Sequence, residues 1–180
     1  MTSLERQRGD RHLGEDRTRR INVDAVRQAF EPAIRRVLHF YWRFARAMTL
    51  GVRAVVIDRE GRVFLVKHSY VSGWHLPGGG VEAGETITQA LARELREEGN
   101  IELDTPARLF GMYFNDRDSP RDHVALFVVR DFHQSAAPVP DHEIIAHGFF
   151  SAGELPGDTT AGTRARISEV LGGAAVNERW

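Results

Sequence analysis

Between Gly78 and Ile101 the chain reads G-G-G-V-E-A-G-E-T-I-T-Q-A-L-A-R-E-L-R-E-E-G-N-I, and Glu94, Glu97 and Glu98 recur there at helical spacing. At about 100° per residue the three carboxylates fall within an arc of roughly 100° on a helix surface. Like charges held so close repel one another and weaken an isolated helix. Such a cluster calls for a cation. Oxygen donors with no Cys or His among them suit a hard ion, Mg²⁺ or Mn²⁺. Gly78, Gly79 and Gly80 stand just ahead of the helix. They permit positive φ and close backbone approach, and form the expected substrate-binding loop.

The elements that must hold these groups can be read on either side. Thr86 with Gln89 three residues on is a capping box, so the helix starts at about Thr86. Ile87, Leu91 and Leu95 give it an apolar side, and Gly99-Asn100 ends it with two residues that tolerate left-handed geometry. Upstream, Leu50 to Ile57 and Arg62 to Lys67 flank the turn Asp58-Arg-Glu-Gly61 and read as a hairpin. Downstream, Ala107 to Phe114 and His123 to Phe132 read as strands. They are joined by the polar loop Asn115 to Asp122, expected to run over a binding site. Glu143 to Phe150 reads as a further strand and Thr163 to Leu171 as a closing helix. Mixed strands with segregated helices predict an α+β fold.

The bulk properties narrow the function. With 180 residues and 42% hydrophobic content, the chain can bury a substantial core. It has no cysteine, which excludes a disulfide framework, a zinc-thiolate site and a thiol nucleophile. No apolar run approaches the ~18 residues of a membrane span, and the start lacks a secretory pattern, so the expected setting is cytoplasmic. The net charge of −1 hides an asymmetry. Residues 1–47 carry 11 Arg against 6 acidic residues, a net of +5; the other 13 basic and 19 acidic residues give −6. An acidic body with a basic arm is not the footprint of a nucleic-acid binder, and no nucleic-acid partner is expected.

Residues 1–22 read as a mobile charged arm. Over 23–48, Val23, Val26, Phe30, Ile34, Val37, Leu38, Tyr41, Ala45 and Met48 recur at helical spacing, opposite a sector with Arg35, Arg36, Arg43 and Arg46. The apolar face of this amphipathic helix packs on the domain or on a second copy of the chain as a homodimer. The competing reading is a peripheral membrane helix, basic side toward lipid headgroups. The pattern favours packing.

The residues from 79 to 101 resemble the signature of the Nudix hydrolases: Gly79, then Glu85, then Arg93-Glu94-Leu95-Arg96-Glu97-Glu98, then Ile101. One position departs, because Asn100 stands where the signature has its last glycine. Asn is the best substitute for Gly at a left-handed helix terminus, so the change is conformationally conservative. The W-H-L-P lead-in at Trp74 to Pro77 and the stretch around Glu143, Gly148 to Phe150 and Glu154 to Pro156 are similar to the family as well. The resemblance covers 49–172 as the domain, with 173–180 as a tail.

It implies an α/β/α sandwich, a Nudix-type mixed sheet flanked by helices, to which 23–48 adds an N-terminal amphipathic helix. It also implies a pyrophosphohydrolase acting on a nucleoside diphosphate linked to another moiety. Glu94, Glu97 and Glu98 are then the metal ligands, Arg93 an orienting residue with Glu85 as its ion-pair partner, and Glu143 a carboxylate that binds metal or acts as base. For the general base the candidates are Glu97 and Glu143, Glu97 first.

Two other readings share the scaffold. An isoprenoid-diphosphate isomerase is disfavoured by the missing cysteine. A nucleotide-sensing module without turnover is disfavoured by the intact Arg93, Glu94, Glu97 and Glu98. For Trp74 and His75 the alternatives are stacking on a base and core packing, with core packing favoured for the tryptophan. His68, His123, His142 and His147 are expected to be ordinary polar or core histidines.

Overall fold

The computed structural model describes residues 48–117, 119–140 and 142–180. The arm expected over 1–22 and the amphipathic helix expected over 23–48 lie outside the described residues, save Met48. Among those residues the strands are β1 (Thr49–Val56), β2 (Val63–His68), β3 (Ile101–Leu103), β4 (Arg108–Phe114), β5 (Asp122–Val129), β6 (Phe132–Gln134) and β7 (Ile144–Phe150). The helices are α1 (Ile87–Gly99), between β2 and β3, and α2 (Ala161–Gly172), after β7.

The strands form a three-stranded sheet in the order β1-β5-β4 and two pairs, β2-β7 and β3-β6. β1 runs parallel to β5, with Thr49 opposite Asp122 and Val56 opposite Val129; β4 runs antiparallel to β5. Parallel strands need both faces covered, and this is why Ala54 to Val56 of β1 and Val124 to Val129 of β5 are apolar and buried on both faces.

Alternation along the strands divides the core in two. Val52, Ala54 and Val56, with Ala125, Phe127 and Val129, pack on Ala90, Leu91 and Leu95 of α1. Val55 and Ile57, with Leu126, Val128 and Tyr113, pack with Ile167 of α2 on the opposite face. The expected helix–sheet–helix sandwich is therefore what the chain builds. Burying a leucine contributes about 2 kcal/mol, whereas each like-charge pair on a helix costs a few tenths. Docking of Leu91 and Leu95 thus outweighs the repulsion among the glutamates of α1.

Local chemistry places α1 as read. The Gln89 amide donates to Thr86 Oγ1 at 3.2 Å and the Thr86 amide to Gln89 Oε1 at 2.9 Å, both halves of the capping box. Asn100 caps the other end at φ 50°, ψ 34°, the only non-glycine with positive φ among the described residues.

The hairpin expected from β1 and β2 is not formed. The turn is there, with Asp58 Oδ1 accepting from the Arg62 amide at 2.8 Å, but only Ile57 and Val63 bridge across it. β1 has no edge left for β2. One edge pairs with β5 and the other takes the segment Pro77 to Val81. β2 instead pairs with β7, Val63 opposite Phe150. Residues 173–180 fold back on β4, where the Phe114 amide donates to the Glu178 carbonyl at 2.8 Å and the Trp180 amide to the Phe114 carbonyl at 3.0 Å. Among the described residues no helix is long and apolar enough to cross a membrane.

Candidate active site

The glycine loop is laid along the outer edge of β1. The Val52 amide donates to the Gly79 carbonyl at 2.8 Å, Ala54 to Pro77 at 3.0 Å, and Val81 to Leu50 at 2.8 Å. Gly78 has φ +135°, and a Cβ there would sit 2.1 Å from the Val52 carbonyl oxygen. A Cβ on Gly79 would meet Glu94 Oε1 at 2.4 Å. Backbone and carboxylate therefore approach as closely as they do only because these two residues lack side chains.

Arg93 braces the helix to the loop. Its Nε donates to Glu85 Oε1 at 3.0 Å, Nη2 to Glu85 Oε2 at 3.1 Å and to the Gly80 carbonyl at 3.0 Å, and Nη1 to Glu94 Oε1 at 2.7 Å. The Arg93 hydrogen bond is the main cause that holds the Glu85 carboxyl below its usual range, and the guanidinium is pushed up in turn by Glu85 and Glu94. The expected Arg93–Glu85 pair is thus present, and its fork fixes the orientation of Glu94.

Glu94, Glu98, Glu143 and Gly78 to Gly80 line one cavity of about 740 Å³. Glu98 is 6% exposed, and its Oε2 accepts from the Gly78 amide at 2.7 Å. Burial pushes its carboxyl up to about 7; Glu94 and Glu143 add to the rise, and Arg53 and the Gly78 amide oppose it. Glu143, one residue ahead of β7, accepts from the Tyr70 hydroxyl at 3.2 Å. Glu97 stands apart from its neighbours: its side chain is 59% exposed, does not line the cavity, and pairs with Arg93 at 3.3 Å.

The cavity also takes in Arg53 and Tyr70, which the sequence did not single out, His68, expected as an ordinary polar or core histidine, and His75, weighed with Trp74 for stacking on a base. Arg53 projects from β1 and donates through Nη1 to the Leu76 carbonyl at 2.9 Å. His68, at the end of β2, is buried with its Nε2 3.4 Å from Glu98 Oε1. Burial, then the charges of Arg53 and His75, push its imidazole down to about 4, so it is neutral beside Glu98 near neutral pH. Tyr70 and His75 complete the group, with His75 Nε2 against the Ser72 carbonyl at 3.0 Å. A signal for Arg53 was present: it is a charge on the inward-facing alternation of an otherwise apolar strand. His68 carried none, since nothing local distinguishes it from a core histidine. Trp74 packs as expected, edge-on against Phe150 at 5.0 Å.

Among the described residues no three acidic or imidazole side chains are gathered closely enough to chelate an ion as they stand. The donor chemistry nevertheless fits one. Three carboxylates face a single cavity, and burial with two acidic neighbours holds Glu98 toward its protonated form. That unfavourable charge state is what a divalent cation relieves.

The NUDIX domain family model matches residues 48–170. The chain is 33% identical over 76 residues to an ADP-ribose pyrophosphatase of Methanocaldococcus jannaschii, covering 41% of this chain and 44% of that protein. It is 35% identical over 88 residues to a CTP pyrophosphohydrolase of Escherichia coli, covering 47% of this chain and 64% of that protein. It therefore spans less than two thirds of the length of either curated relative. Among solved structures, a MutT NUDIX hydrolase from Burkholderia pseudomallei superposes with a TM-score of 0.60 at 26% identity, covering 69% of this chain and 99% of that one.

Proposed function

This chain belongs to the Nudix family, and from that premise we propose that it is a metal-dependent pyrophosphohydrolase cleaving the diphosphate bond of a nucleoside diphosphate linked to another moiety. The observation that carries the reading is the convergence of Glu94, Glu98, Glu143 and the Gly78 to Gly80 backbone on one cavity of about 740 Å³. The relatives named for ADP-ribose and CTP share the cleavage of a nucleotide's phosphoanhydride, which supports the same bond as the target here.

Glu94 and Glu98 are the first ligands for Mg²⁺ or Mn²⁺, and Glu97 is the exposed third on the same helix face. A divalent ion bound there neutralises the diphosphate and activates water. The protein's own groups do the rest. Arg93 holds Glu94 toward the glycine loop, and the Gly78 amide holds Glu98. The Arg53 guanidinium lines the cavity and supplies positive charge for a phosphate oxygen. Glu143, oriented by the Tyr70 hydroxyl, is placed to accept the proton of the attacking water. Between the two base candidates the cavity favours Glu143, because Glu97 faces solvent.

Formation of phosphomonoesters from a panel of nucleoside-diphosphate compounds, read as phosphate after a coupled phosphatase, with Mg²⁺ or Mn²⁺ and with chelator, tests the reading. Glu98→Gln and Glu143→Gln are each expected to lose at least about a hundredfold in kcat. Turnover indifferent to chelator and to both substitutions would refute it.

A further inference from the structure

The cavity extends beyond its carboxylates to a wall built from α2 and the segment that follows it, where Gly162, Thr163 and Trp180 line it. The glycine loop lies on the outer edge of β1, while Trp180 is tied to β4 at the other edge of the β1-β5-β4 sheet. Three strands lie between the loop and the segment that carries Trp180, roughly 19 Å from backbone to backbone at four strand spacings. Both ends line the one cavity, so a phosphate at the carboxylates needs a spacer of at least a sugar before it can bring a ring to the indole.

We infer that Trp180 is a specificity-determining residue whose indole stacks an aromatic base, so that the cavity selects nucleoside diphosphates over diphosphates of non-aromatic groups. This deepens the hydrolase reading and rests on it for the position of the phosphates.

Trp180 is held far more firmly than a loose chain segment requires. The Arg166 guanidinium, 2% exposed, lies 4.1 Å over the Tyr113 ring and 5.5 Å from that of Trp180. Its Nη1 donates at 2.8 Å to the Arg179 carbonyl, in the peptide that joins Trp180 to the chain. Its Nη2 pairs at 2.6 Å with Glu169, which also accepts from the Tyr113 hydroxyl at 2.8 Å and the Asn177 amide at 3.1 Å. Burying an ion pair is costly unless it is hydrogen-bonded, and two of these bonds, to the Arg179 carbonyl and from the Asn177 amide, hold 177–180 in place.

The indole stands edge-on to Tyr113, with ring centres 5.7 Å apart and planes at 87°. A Cβ on Gly162 would come within 2.7 Å of its Nε1, so α2 is cut back to let the ring in. Trp180 nevertheless remains partly exposed and forms cavity wall. A rigid aromatic face with its back and edge packed pays little entropy when a base stacks on it.

The test uses the full chain and two probes that differ only in the base, AMP and ribose 5-phosphate, titrated by calorimetry with and without Mg²⁺. Wild type is expected to bind AMP about tenfold more tightly, the scale of one base stacked on an aromatic side chain. Trp180→Phe keeps most of that preference and Trp180→Leu abolishes it, with cooperative melting of each variant confirming that it is folded. Equal affinity of wild type for the two probes overturns the inference without any variant. So does a preference that survives Trp180→Leu, or one lost equally in both variants. The two readings fail separately: AMP preference without metal-dependent cleavage sinks the hydrolase and leaves Trp180 assigned, and cleavage without base preference does the reverse.

Discussion

The backbone amide of Gly78 donates a 2.7 Å hydrogen bond to the carboxylate of Glu98, twenty residues further on and 6% exposed. This bond joins the two halves of the site. It fixes the loop that must approach substrate to the helix that must hold a cation, and it does so inside the protein. A single amide does not compensate a buried charge, which is why Glu98 sits with its carboxyl pushed up to about 7.

Stability without metal should therefore depend on pH in a definite direction. The Glu98 carboxyl is raised on folding, so its stabilising contribution is complete below about 4.5 and is lost as pH rises through about 7. His68 is lowered to about 4, so its contribution is present above about 6.5 and is lost as pH falls through about 4. The two oppose each other below 6.5, and Glu98 acts alone above it. Urea unfolding of the EDTA-treated protein from pH 6.5 to 8 should show stability falling by about 1 kcal/mol in all. In Glu98→Gln that slope should vanish; an unchanged slope places its origin elsewhere.

Metal should reverse that trend. A cation competes with the proton for Glu98, so stabilisation by Mg²⁺ or Mn²⁺ grows as pH rises through about 7. Thermal shifts at a fixed ion concentration should be larger at pH 8 than at pH 6. The difference should collapse in Glu98→Gln, whereas equal shifts at both values would place the ion away from this carboxylate.

Arg93 should matter more to rate than to stability. Its contacts to Glu85, Glu94 and the Gly80 carbonyl use a planar fork that lysine cannot reproduce. The group is partly exposed, so Arg93→Lys is expected to cost no more than about 1 kcal/mol of unfolding free energy. Metal affinity or kcat should fall about 10–100-fold, as for other residues that orient a ligand. Urea titration alongside metal-dependent kinetics separates the two, and a loss confined to stability contradicts an orienting role.

Asn100 is the one departure from the signature, and its φ of 50° says how it is tolerated. Asn100→Gly is expected to leave kcat unchanged and to move stability by less than about 1 kcal/mol. Asn100→Val, which disfavours left-handed geometry, is expected to destabilise by about 1–2 kcal/mol. A large change in turnover for Asn100→Gly would mean that the side chain does more than cap the helix.

What the sequence determined by itself is local. The start of α1 at Thr86, its end at Asn100, the apolar side of Leu91 and Leu95, and the spacing of Glu94, Glu97 and Glu98 all follow from contacts between residues three or four apart. Periodicity and capping chemistry express such contacts directly. Which strands pair was not legible, since pairing depends on edges competing over long separations. β1 joins β5, Thr49 opposite Asp122, and leaves β2 to find β7. That choice brings Arg53, His68, Tyr70, Glu143 and Trp180 to one cavity and turns Glu97 out to solvent. No local rule couples positions so far apart; only closure of both cores decides which side chains meet.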